Sequence, residues 1–286
     1  MKTTQILTII SLSCLFISLV SSFISKIPMV VKNAFFLVAV ILLATSQVVK
    51  CKPEKFIDSS SKMEKNFTRV YEKNEWGTPD EQDGGPSDLY SGGGASATRC
   101  ASYLTYVNSM LENAPKGKVV ELGCGDLRLT SKMDMDNLTQ YTCVDVVPEI
   151  VKRANAKFNS MPQCKGNNGE RKCTAIISDG SRSLPHGDTL IAKDVLMHWP
   201  TETIHSFTSN VLPNFKTALI THNTRQSRGE RPKISPGGFA GVRLVDMKIP
   251  KTHKVTEIMR DVCQEVDNDR DLSGGSKKTW FVERNS

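Results

Sequence analysis

The stretch Val119-Val120-Glu121-Leu122-Gly123-Cys124-Gly125-Asp126 decides the fold. A short apolar run that ends in an acid and breaks into Gly-x-Gly reads as a strand whose carboxyl end receives a nucleotide-type ligand. The glycines let the backbone turn and approach that ligand without interference from a Cβ. A dinucleotide fingerprint would place a third glycine at position 128, but the residue there is Arg128. The loop therefore suits a cofactor without a pyrophosphate better than a dinucleotide.

Outward from this point, apolar runs alternate with helical patterns. Tyr141–Val146 carries Asp145 near its end, where a carboxylate accepts both hydroxyls of a ribose. Ala175–Ile177 leads into Ser178-Asp179-Gly180, where a side chain meets the edge of a base. Acids at three successive strand ends make Glu121, Gly123, Gly125, Asp126, Asp145, Asp179 and Gly180 candidate cofactor-binding residues. Thr189–Ala192 and Ala218–Thr221 continue the strand series, and Lys278–Val282 is expected at the sheet edge. Thr98–Asn113, Asp126–Met133, Pro148–Phe158 and Thr201–Leu212 have the spacing and start signals of helices. Strands separated by helices imply an α/β fold with a mostly parallel sheet.

Three parts are expected along the chain: a hydrophobic region over 1–52, a polar linker and arm over 53–98, and the main domain over 99–286. The Gly/Pro-rich segment Arg225–Gly241 reads as a substrate lid.

Four motifs together resemble class I S-adenosylmethionine-dependent methyltransferases, within a branch carrying SGPGS-like, GCGD and KDVLQHW-like stretches. Here they stand as SGGGAS (Ser91–Ser96), GCGD (Gly123–Asp126) and KDVLMHW (Lys193–Trp199), preceded by VYEKNEWG (Val70–Gly77). The resemblance spans roughly 66–286, with Gly93 in place of Pro and Met197 in place of Gln. It implies a Rossmann-like sandwich of about seven strands, S-adenosylmethionine as cofactor, and closure of Ser91, Gly92 and their neighbours over it.

Asp188–Pro200 covers the fourth strand and the turn after it, where methyl group and acceptor are expected to meet. Asp194 and His198 stand four residues apart, and the unperturbed pKa of a histidine suits taking a proton from a hydroxyl. These two are the candidate catalytic residues; Lys193, Trp199 and Asn223 are candidates for the acceptor side. Methyl transfer is a displacement at a sulfonium carbon, so positioning alone supplies much of the rate. The polar strand end Thr221-His222-Asn223 offers oxygen and nitrogen ligands, but reads as solvated rather than as a magnesium site, and no metal is expected.

The net charge of +7 invites a nucleic-acid reading, yet residues 1–52 hold five lysines and no acid, which leaves +2 for the remainder. A nucleic-acid binder concentrates its charge on the folded domain, so none is expected as partner. Thr3–Ser25 and Asn33–Val49 are apolar, and the stretch from Met29 has the layout of a secretory signal peptide, with Met29 an alternative initiator. A cleaved signal or a membrane anchor follows, with the enzyme secreted or on the lumenal side. Two sequons, at Asn66 and Asn137, and eight cysteines fit that setting. Cys164 and Cys173 can close the loop between them as a disulfide, Cys100 and Cys263 offer a further pair, and Cys124 and Cys143 are expected to be free and packed. The acceptor is then a hydroxyl on a glycan or small metabolite. The rivals are an NAD(P)-dependent oxidoreductase on a similar sheet and a non-catalytic nucleoside-binding fold.

Overall fold

The computed structural model describes residues 56–79, 89–113, 117–166, 169–225, 229–260, 263 and 276–285. The apolar region over 1–52, the stretch 80–88 and part of the expected lid lie outside them. Among the described residues no helix is long and apolar enough to cross a membrane.

Seven strands form one sheet: β1 (Lys118–Leu122), β2 (Gln140–Asp145), β3 (Cys173–Ile177), β4 (Thr189–Lys193), β5 (Thr217–Asn223), β6 (His253–Arg260) and β7 (Lys277–Arg284). Their order is β3-β2-β1-β4-β5-β7-β6. The helices are α1 (Phe56–Glu72), α2 (Ala101–Glu112), α3 (Pro148–Ser160), α4 (Thr201–Asn210) and the single turn α5 (Leu244–Met247).

The sheet is mixed, which corrects the expectation of a mostly parallel one. Strands β1 to β5 pair in parallel. Strand β7 runs antiparallel to both of its neighbours, β5 and β6. It lies inside the sheet, and the edge belongs to β6, which the sequence reading missed. Most of β6 is exposed or half-exposed, as suits an edge strand without a continuous apolar run.

Alternate residues of each strand feed two cores. Val120, Leu122, Leu190, Ala192 and Ile220 pack with Phe67 of α1 and Phe207 of α4. Val119, Tyr141, Ile191 and Leu219 pack on the other face with Tyr103 and Val107 of α2 and Phe158 of α3. Each such side chain, fully buried, contributes roughly 1.5–3 kcal/mol. Pro148 opens α3 at its first position, where its missing N–H costs nothing.

No α-helix forms over Asp126–Met133, contrary to the sequence reading. Leu127 adopts a left-handed backbone (φ 63°), which breaks the helical path, and only a 3-10 turn at Thr130–Lys132 survives. Three disulfides are present: Cys164–Cys173, Cys100–Cys263 and Cys124–Cys143. The last corrects the expectation of two free thiols. The turn after β1 carries Cys124 across to β2, leaving its Cα 5.7 Å from that of Cys143.

Candidate active site

The order of winding reverses between the parallel strands β1 and β4: β2 and β3 lie to one side of β1, β4 and β5 to the other. Such a switch point opens a crevice at the carboxyl ends of the strands. A cavity of about 810 Å³ occupies it. Its lining includes Glu121 of β1, Gly123 and Gly125 after β1, Asp145 at the end of β2, Ser178 and Asp179 after β3, Asp194 and His198 after β4, and Asn223 of β5. Helix α1, through Met63, Phe67 and Tyr71, and the Gly-rich loop from Ser91 to Ala95 line its other walls.

On the β1–β2 side the Gly-rich loop is bound to the turn after β1. Ser91 N–H donates to Asp126 Oδ2 (2.9 Å), Asp126 N–H donates to Ser91 Oγ (2.8 Å), and Tyr71 Oη lies 2.8 Å from the same Oγ. Gly125 has φ 54° and a Cβ there would collide with Ser91, so only glycine allows this approach. Asp126 is thus spent on the protein: it also accepts from Arg128 Nε at 2.8 Å and is absent from the cavity lining. Arg128, in place of the third glycine, donates to the Gly92 carbonyl (2.8 Å) and covers the Tyr90 ring at 4.4 Å. Gly180 is likewise not part of the lining.

Asp145 is buried, and burial raises its pKa to about 6 although the Val147 and Gly125 N–H groups donate to it at 3.0 and 3.2 Å. Asp179 Oδ1 accepts from Ser181 N–H and Oγ at 3.0 and 2.9 Å. Glu121 Oε2 accepts from Thr130 Oγ1 at 2.8 Å and from the Tyr141 hydroxyl. Burial pushes the Glu121 carboxyl up.

On the β4–β5 side, Asp194 follows β4 in a left-handed conformation (φ 58°). Its Oδ2 pairs with Lys193 and, at 2.9 Å, with Lys277 of β7. Burial alone would raise its pKa, but the two ammonium groups hold it well below the usual carboxylate range. Burial lowers Lys193 to about 8 even beside that carboxylate. Lys193 also donates to the Gly94 carbonyl, so it fastens the Gly-rich loop from below. Asp194 Oδ1 and Asn223 Oδ1 are buried with no partner among the described residues. The Trp199 ring packs on Phe207 (5.4 Å between centroids) and is almost wholly buried.

His198 closes a 3-10 turn, Leu196–His198. Its Nδ1 lies 2.8 Å from the Gly238 carbonyl, which can only accept, so Nδ1 carries the hydrogen. Burial lowers its pKa below the ordinary histidine value and keeps the ring neutral. Nε2 is then the acceptor nitrogen of a residue that lines the cavity.

No family profile matches the sequence, and no curated protein matches it. Solved structures do. The N-methyltransferase NodS of Bradyrhizobium japonicum, in complex with S-adenosylhomocysteine, superposes with a TM-score of 0.50 at 15% identity, covering 79% of this chain and 100% of NodS. Magnesium protoporphyrin IX methyltransferase (ChlM) of Synechocystis, with bound S-adenosylhomocysteine, gives 0.48 at 16% identity, over 77% of this chain and 100% of ChlM. The methyltransferase domain of bacterial CtHen1 gives 0.47 at 19% identity, over 65% and 99%. The chain has a methyltransferase fold.

In this fold the sequence-derived candidates converge on one cavity, except Asp126 and Gly180. Sequence reasoning missed Tyr71, Trp76, Arg99, Phe239 and Lys277, all of which line it. Trp76 sits in VYEKNEWG, so a motif signal existed without a role. Phe239 and Lys277 come from a loop and a reversed strand whose path no local pattern reveals.

Proposed function

We propose that the chain is a methyltransferase that uses S-adenosylmethionine to methylate a hydroxyl of a small molecule or glycan. The observation that carries this reading is the buried Asp145 carboxylate beside the Gly125 turn, on the floor of a cavity whose far side holds His198. Among the described residues Asp145 accepts from backbone N–H groups alone, which leaves carboxylate lone pairs for two ribose hydroxyls. NodS, with the same fold, holds S-adenosylhomocysteine. Gly123 and Gly125 line the cavity at the turn after β1, Asp179 and Ser178 flank the expected base, and Ser91 and Gly92 cover the nucleoside. When bound, S-adenosylmethionine supplies an activated methyl group on a sulfonium.

His198 Nε2 receives the proton that leaves the acceptor hydroxyl. Gly238 fixes the tautomer that makes this possible. Asp194 supports the base electrostatically, favouring its charged form. Lys193 holds the Gly-rich loop in place, and Asn223 and Trp199 shape the acceptor side. Three disulfides and the apolar N-terminal region favour a lumenal or secreted setting.

The test is isothermal titration of the full chain with S-adenosylhomocysteine and, separately, NAD. Saturable binding of the first alone supports the reading. Binding of NAD alone would move the chain to the oxidoreductases, against which Arg128 already stands.

A further inference from the structure

Three aromatic rings pack around His198. The His198 ring lies 5.5 Å from Trp76, 6.0 Å from Phe67 and 6.1 Å from Phe239, centroid to centroid. Met63 and Met197 line the same cavity. The three aromatic rings come from three places in the chain: α1, the turn after it, and the loop before α5. That loop is seated on the His198 turn by Gly237 N–H donating to the His198 carbonyl (3.0 Å) and Ala240 N–H to the Met197 carbonyl (3.0 Å). Arg231 binds the Met197, Trp199 and Ala240 carbonyls from the other side, at 3.1, 2.7 and 2.9 Å. Phe239 nevertheless remains 44% exposed, an unusual state for a phenylalanine held on so firm a loop.

We propose that the acceptor is a planar aromatic alcohol, its ring seated among Phe67, Trp76 and Phe239 and its hydroxyl at His198 Nε2. This narrows, and rests on, the methyltransferase reading. Aromatic rings favour edge-to-face and offset contacts with another ring. A sugar needs hydrogen-bonding side chains for its many hydroxyls, and buried polar groups left unpaired are costly; the ring partners of His198 here are Phe67, Trp76 and Phe239. An aromatic box also suits a cation, and cyclohexylamine stands for that case in the experiment. A phenolic proton, with a pKa near 10 as in tyrosine, also suits a weakly basic imidazole. In the reaction, an electron pair of the phenolic oxygen forms the new O–CH₃ bond as the sulfonium S–CH₃ bond breaks. That bonding pair stays on sulfur, and the phenolic proton passes to His198 Nε2.

The experiment uses the full chain in three arms. Titration with S-adenosylhomocysteine tests the underlying reading; its failure sinks that reading and this inference with it. Given binding, 2-naphthol, methyl glucoside and cyclohexylamine are titrated into the S-adenosylhomocysteine complex, and in separate incubations with S-adenosylmethionine methylation is followed by mass spectrometry. The expected result is binding of 2-naphthol at least tenfold tighter than of the other two, with methyl ether formed. The third arm is Phe239→Ala, expected to weaken 2-naphthol by about 3- to 10-fold with S-adenosylhomocysteine affinity unchanged. Equal or tighter binding of the glucoside or the amine overturns the inference while leaving the methyltransferase reading intact. So does failure of 2-naphthol to bind the loaded protein, or indifference of its affinity to Phe239→Ala.

Discussion

His198 Nδ1 donates to the Gly238 carbonyl at 2.8 Å, so the proposed base takes its tautomer from the loop before α5. Removing the imidazole removes the proton acceptor and leaves the cofactor side untouched. His198→Gln is therefore expected to lower kcat by about 10²- to 10⁴-fold, the usual worth of general base catalysis, with S-adenosylhomocysteine affinity within twofold of wild type. Because burial lowers the His198 pKa, the ring is neutral at pH 7 and the acid limb of kcat/KM falls below pH 6.5. An acid limb above pH 6.5, or a kcat unaffected by the substitution, removes His198 from the chemistry.

Asp145 makes the opposite kind of prediction. Its folded pKa is raised to about 6, so in the empty protein it holds a proton at pH values where a free carboxyl does not. Ribose hydroxyls donate best to the ionised form. Affinity for S-adenosylhomocysteine is then full above pH 6 and falls as the pH drops through that value. Hydrogen bonds to a charged group contribute roughly 1.5–3 kcal/mol each, so Asp145→Ala is expected to weaken binding by at least about tenfold and to abolish this pH dependence. Calorimetry at pH 5, 6 and 7.5 checks both; a flat wild-type profile contradicts the assignment. For stability the sign is reversed. The folded state binds more protons than the unfolded one between the ordinary carboxylate range and pH 6, so this group favours folding at low pH, and that contribution is lost as the pH rises through 6.

The ion cluster below the Gly-rich loop predicts a stability effect. Asp194 Oδ2 is shared by two buried ammonium groups, Lys193 and Lys277. Removing the carboxylate from a buried pair costs about 3–5 kcal/mol, because the remaining charge is stranded. Asp194→Ala is expected to do this and to add strain, since alanine tolerates the left-handed backbone poorly. Asn tolerates that conformation, so Asp194→Asn is expected to lose less. Urea denaturation separates the two variants; equal losses would show that backbone conformation contributes nothing measurable here.

What the sequence made legible follows physical range. Strand-end acids and the Gly-x-Gly turn are local signals, and the structure brings Glu121, Asp145 and Asp179 to one rim. Asp126 looked like part of that signal, yet it binds Ser91, thirty-five residues earlier, a pairing set by how α1 and the Gly-rich loop fold back. Lys277 reaches Asp194 only because β7 inverts between β5 and β6, and strand order is not written in any one strand. The polar look of 53–98 concealed α1, whose Met63, Phe67, Val70 and Tyr71 form a single buried stripe.

The disulfides lead to a test of compartment as well as of stability. Cys100–Cys263 closes a long loop, with a sequence separation of 163, and ties the start of α2 to the segment between β6 and β7. Cys164–Cys173 closes a short one, with a separation of 9. In the chain-entropy account a 100-residue loop is worth about 4.7 kcal/mol and a 15-residue loop about 3. Cys263→Ser is thus expected to destabilise more than Cys173→Ser, and peptide mapping without reductant to recover both pairs. The sequons divide in the same setting. Asn66 lies within α1 and its Nδ2, the atom a glycan would occupy, donates to the Pro236 carbonyl at 2.8 Å. Asn137 Nδ2 also donates to a carbonyl, that of Glu112 at 3.2 Å, but this contact lies in an exposed turn, whereas that of Asn66 is partly buried. Expression through a secretory pathway is therefore expected to yield glycan at Asn137 and none at Asn66. Glycan at Asn66 would mean that α1 docks on the Pro236 loop only after modification, or does not dock there. Recovery of the native chain with all of these thiols reduced would instead count against a lumenal setting.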